Sequence, residues 1–541
     1  MAGTTQILQL ADRVEPTSHL CFRHGVENRR LCVYVRVRTF SFKGDLVVSQ
    51  PRLVIPVTAY GVLLVAALQT LVVPVIGDIQ AALGVSAAAA SWAVTANLLA
   101  AAVFTPVLGR LGDLRGRRPV MIGIVILVLA GSILAATTTS LPLLVIGRVL
   151  QATSFGLFPL GIGVLREELP AKRLTGAMAL VSGMLSVGAG LGITVTGLLM
   201  RGEGADYHQL FWLSTGMSIL GLIGVLLLPR RPAAATGKLD WTGAAVLGLG
   251  LVLLVMPLEQ GNTWGWASPA TLGSLAGAVV VLALFVLMER RIKQPLVTTR
   301  MLRHRPIVIA HVAGLSTGFA MFAIFLSVSA LVQAPPSVTG YGFGSSVLAA
   351  SLVYLLPGSA GGIITAPLGG RLVIRFGAKA TLLIAALLTA AGFILLAVVH
   401  STTWEVIVGS VAVNTGVMFG YASLPALVIQ NVDRTETGIA NSVNSIFRSV
   451  GMSLGTAFVV TLVTRNLIPG LPVGLPQESQ FRLIFIVGAA VALVTAGVVG
   501  FLLPRSRPAA QLTVPEVEEE EAAGAAGVEV PAALVARQKT A

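Results

Sequence analysis

Thr105-Pro106-Val107-Leu108-Gly109-Arg110-Leu111-Gly112-Asp113-Leu114-Arg115-Gly116-Arg117-Arg118 is the stretch that decides the fold, because the chain repeats it. About 261 residues later it reads Ala366-Pro367-Leu368-Gly369-Gly370-Arg371-Leu372-Val373-Ile374-Arg375-Phe376-Gly377-Ala378-Lys379. Pro, Gly, Arg, Leu and the later Gly recur at the same offsets, and each copy closes on a cation. Each copy also follows one apolar run and precedes another. A second echo sets Gly188-x3-Gly192 against Gly451-x3-Gly455. Self-similarity at nearly half the length of the apolar region predicts a duplicated architecture. Two halves related in this way argue for a transporter with its site between them at mid-membrane.

Working outward from the repeat, the flanking runs are too apolar for a water-facing surface. The chain has 541 residues, 55% hydrophobic and 11% charged, against roughly 25% charged for a soluble domain. The runs 53–75, 87–108 and 119–139 follow with short breaks, and the pattern continues to 482–503. Each approaches the ~20 residues a helix needs to cross a ~30 Å hydrocarbon core. They do not alternate as barrel strands would, so the chain reads as an all-α membrane protein of about fourteen spans. Many of the glycines lie inside the apolar runs, where small residues let helices approach closely.

The formal charge of +14 is not a nucleic-acid footprint, because the cations sit in short loops between spans. Arg110, Arg115, Arg117 and Arg118, then Arg166, Lys172 and Arg173, then Arg230, Arg231 and Lys238 share one side. Arg290, Arg291, Lys293, Arg300, Arg303, Arg305, Arg371, Arg375, Lys379 and Arg434 join them, leaving Arg201, Arg465 and Arg482 opposite. The basic side is expected to be cytoplasmic in a bacterial plasma membrane, with both termini on it. Residues 1–52 read as a cytoplasmic N-terminal extension, either a dispensable arm or in part a mis-called start with true initiation near Val47. Residues 53–228 form one six-helix bundle, 229–306 carry two extra helices (241–258 and 270–288) with a linker, and 307–503 form the second bundle. Residues 504–541, with Glu518 to Glu521, read as a disordered cytoplasmic tail. Cys21 and Cys32 match no metal signature, and no metal or cofactor is expected.

Gly109 to Arg118 resembles the loop 2–3 signature of the major facilitator superfamily. The resemblance implies an inner gate latched by Asp113 and Arg117, with Gly109, Gly116 and Arg118 beside them and Gly370, Arg371 and Gly377 in the second copy. Gly147-Arg148-Val149-Leu150-Gln151 is similar to the family's fourth-helix R-x-x-Q-G motif, with Ala152 in place of the glycine. Arg148 lies about 10 Å into its span, and a cation there is expensive and usually functional. Gly188, Gly192 and Gly197 resemble the fifth-helix antiporter signature, with Ile193 for its proline and Thr196 for its penultimate glycine. The span count and the extra pair resemble the fourteen-helix drug:proton antiporter branch over roughly 53–503. Where that branch often carries a first-helix acid, this chain has Gln69.

No acid sits clearly at mid-membrane. Asp78 working with Arg148 is the leading proton-coupling candidate, ahead of Asp113, Glu259, Glu289, Glu405 and His311. Polar residues inside spans mark the expected substrate cavity: Gln69, Asn97, Gln151, Asn414, Asn441, Asn444 and Arg448, with Phe319, Phe322 and Tyr354 adding apolar contact. The six histidines form no cluster and no nucleotide or protease motif is present, so the chain is not expected to be an enzyme. The function expected is proton-coupled export of drug-like or secondary-metabolite small molecules by a monomer that alternates access across the lipid bilayer. The alternative is a major facilitator importer or facilitator of a metabolite.

Overall fold

In the computed structural model, residues 21–22, 31–32, 53–200, 206–233, 235–292, 295–297, 304–432, 436–465, 467–468 and 475–503 are described. Most of the extension 1–52 and the whole tail 504–541 lie outside them, as do Arg201, Lys293, Arg300, Arg303 and Arg434. Met1–Val48 is a compact unit of its own, in which Cys21–Phe22 pairs antiparallel with Leu31–Cys32, Cys21 opposite Cys32.

The second unit carries the spans. Among the described residues, thirteen helical stretches are long and apolar enough to cross a membrane. One of them, Ala350–Val398, has 49 residues and would reach about 74 Å as a straight helix, more than twice the hydrocarbon core. Its backbone leaves helical geometry at Gly377 (φ 84°, ψ 164°), so it is two spans joined end to end. The crossings are then fourteen, as the apolar runs predict. They are the first (Val54–Leu83, interrupted after Thr70), second (Ala87–Arg115), third (Arg117–Thr137), fourth (Leu141–Glu168), fifth (Ala171–Leu199) and sixth (His208–Leu226). The inserted seventh and eighth are Trp241–Trp264 and Pro269–Glu289. The ninth is Arg305–Gln333, the tenth and eleventh divide at Gly377, and Thr403–Ile429, Thr437–Arg465 and Glu478–Leu502 complete the set.

Several starts are built by local chemistry. Ser86, Asp240 and Ser268 each accept from a backbone N–H three residues on, and Thr402 with Glu405 forms a reciprocal capping box. Side chains such as Val279, Ile364, Val494 and Phe501 are exposed along the outer faces, as a lipid-solvated belt requires. Away from the basic end, the loop residue Tyr341 donates to the Pro476 carbonyl. Burial pushes its phenol up to about 12, so it remains a donor at any ordinary pH.

The repeat is realised in the backbone of its turn. Gly116 ends the second span at φ 89°, ψ 143°, and Gly377 ends the tenth in nearly the same conformation. That region of backbone space favours glycine. The signature is therefore mostly helix rather than loop. Residues 109–115 complete the last turns of the second span, and the reversal is the single residue Gly116.

The glycine echo is realised too. A Cβ on Gly188 would stand 2.5 Å from the Leu63 carbonyl and one on Gly192 would collide with Thr70, so the fifth span packs backbone to backbone on the first. In the second half Gly451 and Gly455 press on the Leu315 and Phe319 carbonyls, which joins the thirteenth span to the ninth. The fifth helix of each half packs on the first helix of that half through the same small-residue device.

Candidate functional site

The basic end of the interface between the halves is held shut by buried charge. Asp113 is 0% exposed. It accepts from Arg117 Nη2 at 3.0 Å and from the backbone N–H groups of Gly438 and Ile439, each at 3.2 Å. Those two amides open the thirteenth span, so a carboxylate from one half caps a helix N-terminus of the other, where the helix dipole favours an anion. Arg117 also pairs with Glu167 of the fourth span. Arg166 crosses the same interface to the Thr437 hydroxyl and to the Val432 carbonyl, the latter at 3.1 Å. Gly109 lies beneath Ser442 and the Gly438 carbonyl, where any side chain would push the halves apart.

The final cations of the two copies do another job, and they do it alike. Arg118 donates to the Leu226 carbonyl at the end of the sixth span at 2.6 Å. Lys379 donates to the Gly500 carbonyl at 2.9 Å and to Leu503 at the end of the fourteenth. Each cation ties the last helix of its bundle at its C-terminus. The copies differ at the latch position. Ile374 stands where the first copy has Asp113, so the second copy carries no helix-capping carboxylate. Arg371 is exposed there, and Gly370 packs closely on Gly176 and Ala179 of the fifth span.

Above this latch lies a cavity of about 440 Å³ of space not filled by atoms, open solvent included. The first half contributes Gln69, Phe155 and Phe158, the second Phe322, Tyr421 and Arg448, with Met321 and Met452 among its other walls. Of the seven polar residues expected there, Gln69 and Arg448 line it. The other five bond to neighbouring helices or to their own helix instead. Asn97 Nδ2 donates to the Arg148 carbonyl at 2.8 Å, and Gln151 Nε2 donates to Ser132 Oγ at 2.8 Å. Asn414 and Asn441 donate to carbonyls one turn back on their own helices, at 3.0 Å each, and Asn444 donates to the Ala310 carbonyl at 2.9 Å. Phe319 packs on Phe458, and Tyr354 pairs with Phe343. Phe155, Phe158 and Tyr421 escaped the sequence reading. The i, i+3 pair Phe155 and Phe158 is a signal, but aromatic residues at helical spacing in a span are equally good core.

The expected Asp78–Arg148 pair is not formed. Asp78 is exposed in the first turn of the short helix Ile76–Leu83. Arg148 is 1% exposed and bonded elsewhere: Nε to the Ala93 carbonyl at 2.8 Å, Nη1 to the Leu68 carbonyl at 3.1 Å and to Gln151 Oε1 at 2.6 Å. It stitches the first, second and fourth spans together. Carbonyl and amide oxygens take the place of an acid at Nε and Nη1, while Nη2 is buried without a partner.

Other acids near helix ends have local duties. Glu405 caps its helix, and Glu289 accepts from the Val297 N–H at 3.3 Å. His311 stacks on Phe447 at 5.0 Å. Glu259 differs. It hydrogen-bonds Ser453 of the thirteenth span, one residue beyond the cavity-lining Met452, and its Oε1 is buried without a partner. The same seam carries on outward: Asn262 Oδ1 accepts from Thr461 at 2.7 Å and from Trp266 Nε1 at 3.1 Å. The inserted seventh span is thus bonded to a helix that lines the cavity. Among the described residues no cluster of His, Cys, Asp and Glu could hold a metal ion.

Comparison with known proteins agrees with this architecture. Residues 58–456 and 317–537 match the family model described as Major Facilitator Superfamily. An uncharacterised MFS-type transporter of Mycobacterium tuberculosis is 32% identical over 407 residues, 74% of this chain and 57% of that protein, so the match spans little more than half of that relative. The tetracenomycin C resistance and export protein of Streptomyces glaucescens is 28% identical over 75% of this chain and 74% of its own length. Among solved structures, the proton:xylose symporter XylE superposes with a TM-score of 0.58 at 14% identity, covering 85% of this chain and 97% of that one, a likeness of fold.

Proposed function

The chain belongs to the Major Facilitator Superfamily, a family of transporters rather than enzymes, and from that premise we propose that it exports drug-like or secondary-metabolite small molecules in exchange for protons. It acts as a monomer in a bacterial plasma membrane, with both termini and the basic loops in the cytoplasm and no nucleic-acid partner or cofactor. The two bundles rock about the central cavity, so that it opens to one side at a time.

The observation that carries this reading is the apolar cavity between the halves, closed at its basic end by Asp113 on the Gly438 and Ile439 amides. Every bond of that latch between the halves must break for the cavity to open inward, and each can re-form when it closes. The relative named for tetracenomycin C resistance and export supports the outward direction. Gly188, Gly192 and Gly197, the antiporter-like face of the fifth span, support it further. Coupling is assigned to Glu259 rather than Asp78, because Glu259 is bonded to a cavity-lining helix and Asp78 stands exposed away from it.

The test uses inverted membrane vesicles energised acid-inside, with a pH-sensitive dye in the lumen and a panel of lipophilic antibiotics and dyes added outside. Proton release on adding a compound, absent from vesicles lacking the protein, is expected. It should persist in Asp78→Asn and vanish in Glu259→Gln. A flat response to every compound, with folded protein present, overturns export by proton exchange. Loss in Asp78→Asn with retention in Glu259→Gln returns the coupling to Asp78.

A further inference from the structure

The cavity is mostly apolar; beside the hydroxyl residues Thr70, Tyr421 and Ser449, its walls carry two nitrogen donors, Arg448 and Gln69. Arg448 lies about 17 Å along the thirteenth span from its basic-end start and is 5% exposed. Its guanidinium stands 4.6 Å from the Phe158 ring centroid and 5.3 Å from that of Tyr421. Its hydrogen bond runs from Nη2 to Ser445 Oγ at 2.8 Å. A guanidinium has five N–H donors, and aromatic faces attract the charge without accepting strong hydrogen bonds. On the wall contributed by the first half, Gln69 is 8% exposed and its Nε2 is buried with no partner.

No Asp or Glu is among the residues that line the cavity. Arg148 donates from Nε and Nη1 to two carbonyls and a glutamine and keeps Nη2 buried outside the cavity, whereas Arg448 makes one hydrogen bond, to Ser445, and faces the cavity. A cation left in a membrane interior without a counter-charge is costly and usually functional.

We propose that the cavity selects organic anions, namely aromatic carboxylates or sulfonates whose acid group is held by Arg448 and Gln69 and whose ring lies among Phe155, Phe158, Phe322 and Tyr421. The proposal rests on the reading of this cavity as the transport site and adds its charge preference. An anion supplies the counter-charge that the cavity lining does not give Arg448. A cation of the same shape gains no partner and adds like-charge repulsion where the effective dielectric is low. Gln69 stands in the first half and Arg448 in the second, so one bound acid group bridges the two bodies that move.

The experiment is an equilibrium fluorescence titration of the full-length protein in detergent with two probes, anthracene-9-carboxylate and 9-anthracenylmethylammonium. They share a ring and differ in the sign of charge. The anion is expected to bind at least about tenfold more tightly, since a hydrogen bond to a charged group is worth roughly that factor or more. Arg448→Lys should keep the preference. Arg448→Gln should abolish it by weakening the anion about 10- to 100-fold and leaving the cation unchanged.

If Arg448→Gln does not elute as folded protein, Gln69→Leu serves in its place and should weaken the anion alone. Equal or tighter binding of the cation overturns the proposal. So does an anion preference that survives in Arg448→Gln or, where Gln69→Leu is used, anion binding that is unchanged in that variant, and so does the absence of saturable anion binding. The titration contains no gradient. Proton release in vesicles without a charge preference here leaves export standing and sinks the anion, and the converse pair of results does the reverse.

Discussion

Replacing Asp113 by Asn should unlatch the basic end while leaving the shape of the side chain intact. In the closed arrangement the carboxylate accepts from one guanidinium and two helix-opening amides at 3.0–3.2 Å, fully buried. A hydrogen bond to a charged group contributes about 1.5–3 kcal/mol, a neutral one nearer 1, and a buried anion at a helix N-terminus up to ~2 more. Asn keeps an acceptor oxygen, and Arg117 keeps Glu167, so the net loss comes to about 2–4 kcal/mol. At 1.4 kcal/mol per factor of ten, the closed-to-open ratio falls about 30- to 700-fold.

The assay is double electron–electron resonance in nanodiscs. Nitroxides are placed on cysteines introduced at the exposed positions Arg115 and Arg375, after Cys21 and Cys32 are changed to Ser. The native protein should show a predominantly short distance and Asp113→Asn a predominantly long one. A distribution that does not change, or that shortens, refutes the assignment of Asp113 as the latch between the halves.

Two further outcomes follow from the packing. Gly451→Ala drives a methyl into the Leu315 carbonyl, whereas Gly123 has open space around its Cα. The first should lower the thermal unfolding midpoint in detergent by an amount equivalent to about 1–3 kcal/mol, and Gly123→Ala should leave it where it is; equal midpoints would remove the close-packing argument. Arg148→Met strips three charge-assisted hydrogen bonds from the first half and should cost at least about 3 kcal/mol of stability, with anthracene-9-carboxylate still bound by the protein that folds. An unchanged midpoint with lost proton release would place Arg148 in the coupling step instead.

The class of this protein was legible in the sequence, because the bilayer leaves the backbone few choices. Apolar runs of about twenty residues must be helices in lipid, so the fourteen crossings could be counted before any coordinate was known. The repeat around Gly109–Arg118 and Gly370–Lys379 was equally legible. Gly116 and Gly377 need a backbone conformation that favours glycine, and the terminal cations tie helix ends; both constraints act within a few residues or at a helix terminus. The Asp113 latch was readable in part. Its residue type announced an anion seeking a cation or a helix N-terminus, but Gly438 and Ile439 lie some 325 residues away in the chain.

What only the tertiary structure decided is which buried polar residues face the cavity. Asn97, Gln151, Asn414, Asn441 and Asn444 sit inside spans just as Gln69 and Arg448 do, and all seven are polar groups in an apolar helix. Whether such a group bonds a neighbouring carbonyl or faces an opening depends on how its helix is rotated against several others. That rotation is fixed by close contacts such as Gly188 on Leu63 and Gly451 on Leu315. The same holds for the two arginines. Arg148 and Arg448 are alike as letters, and only the surrounding carbonyls and rings make one a rivet between spans and the other a wall of the cavity.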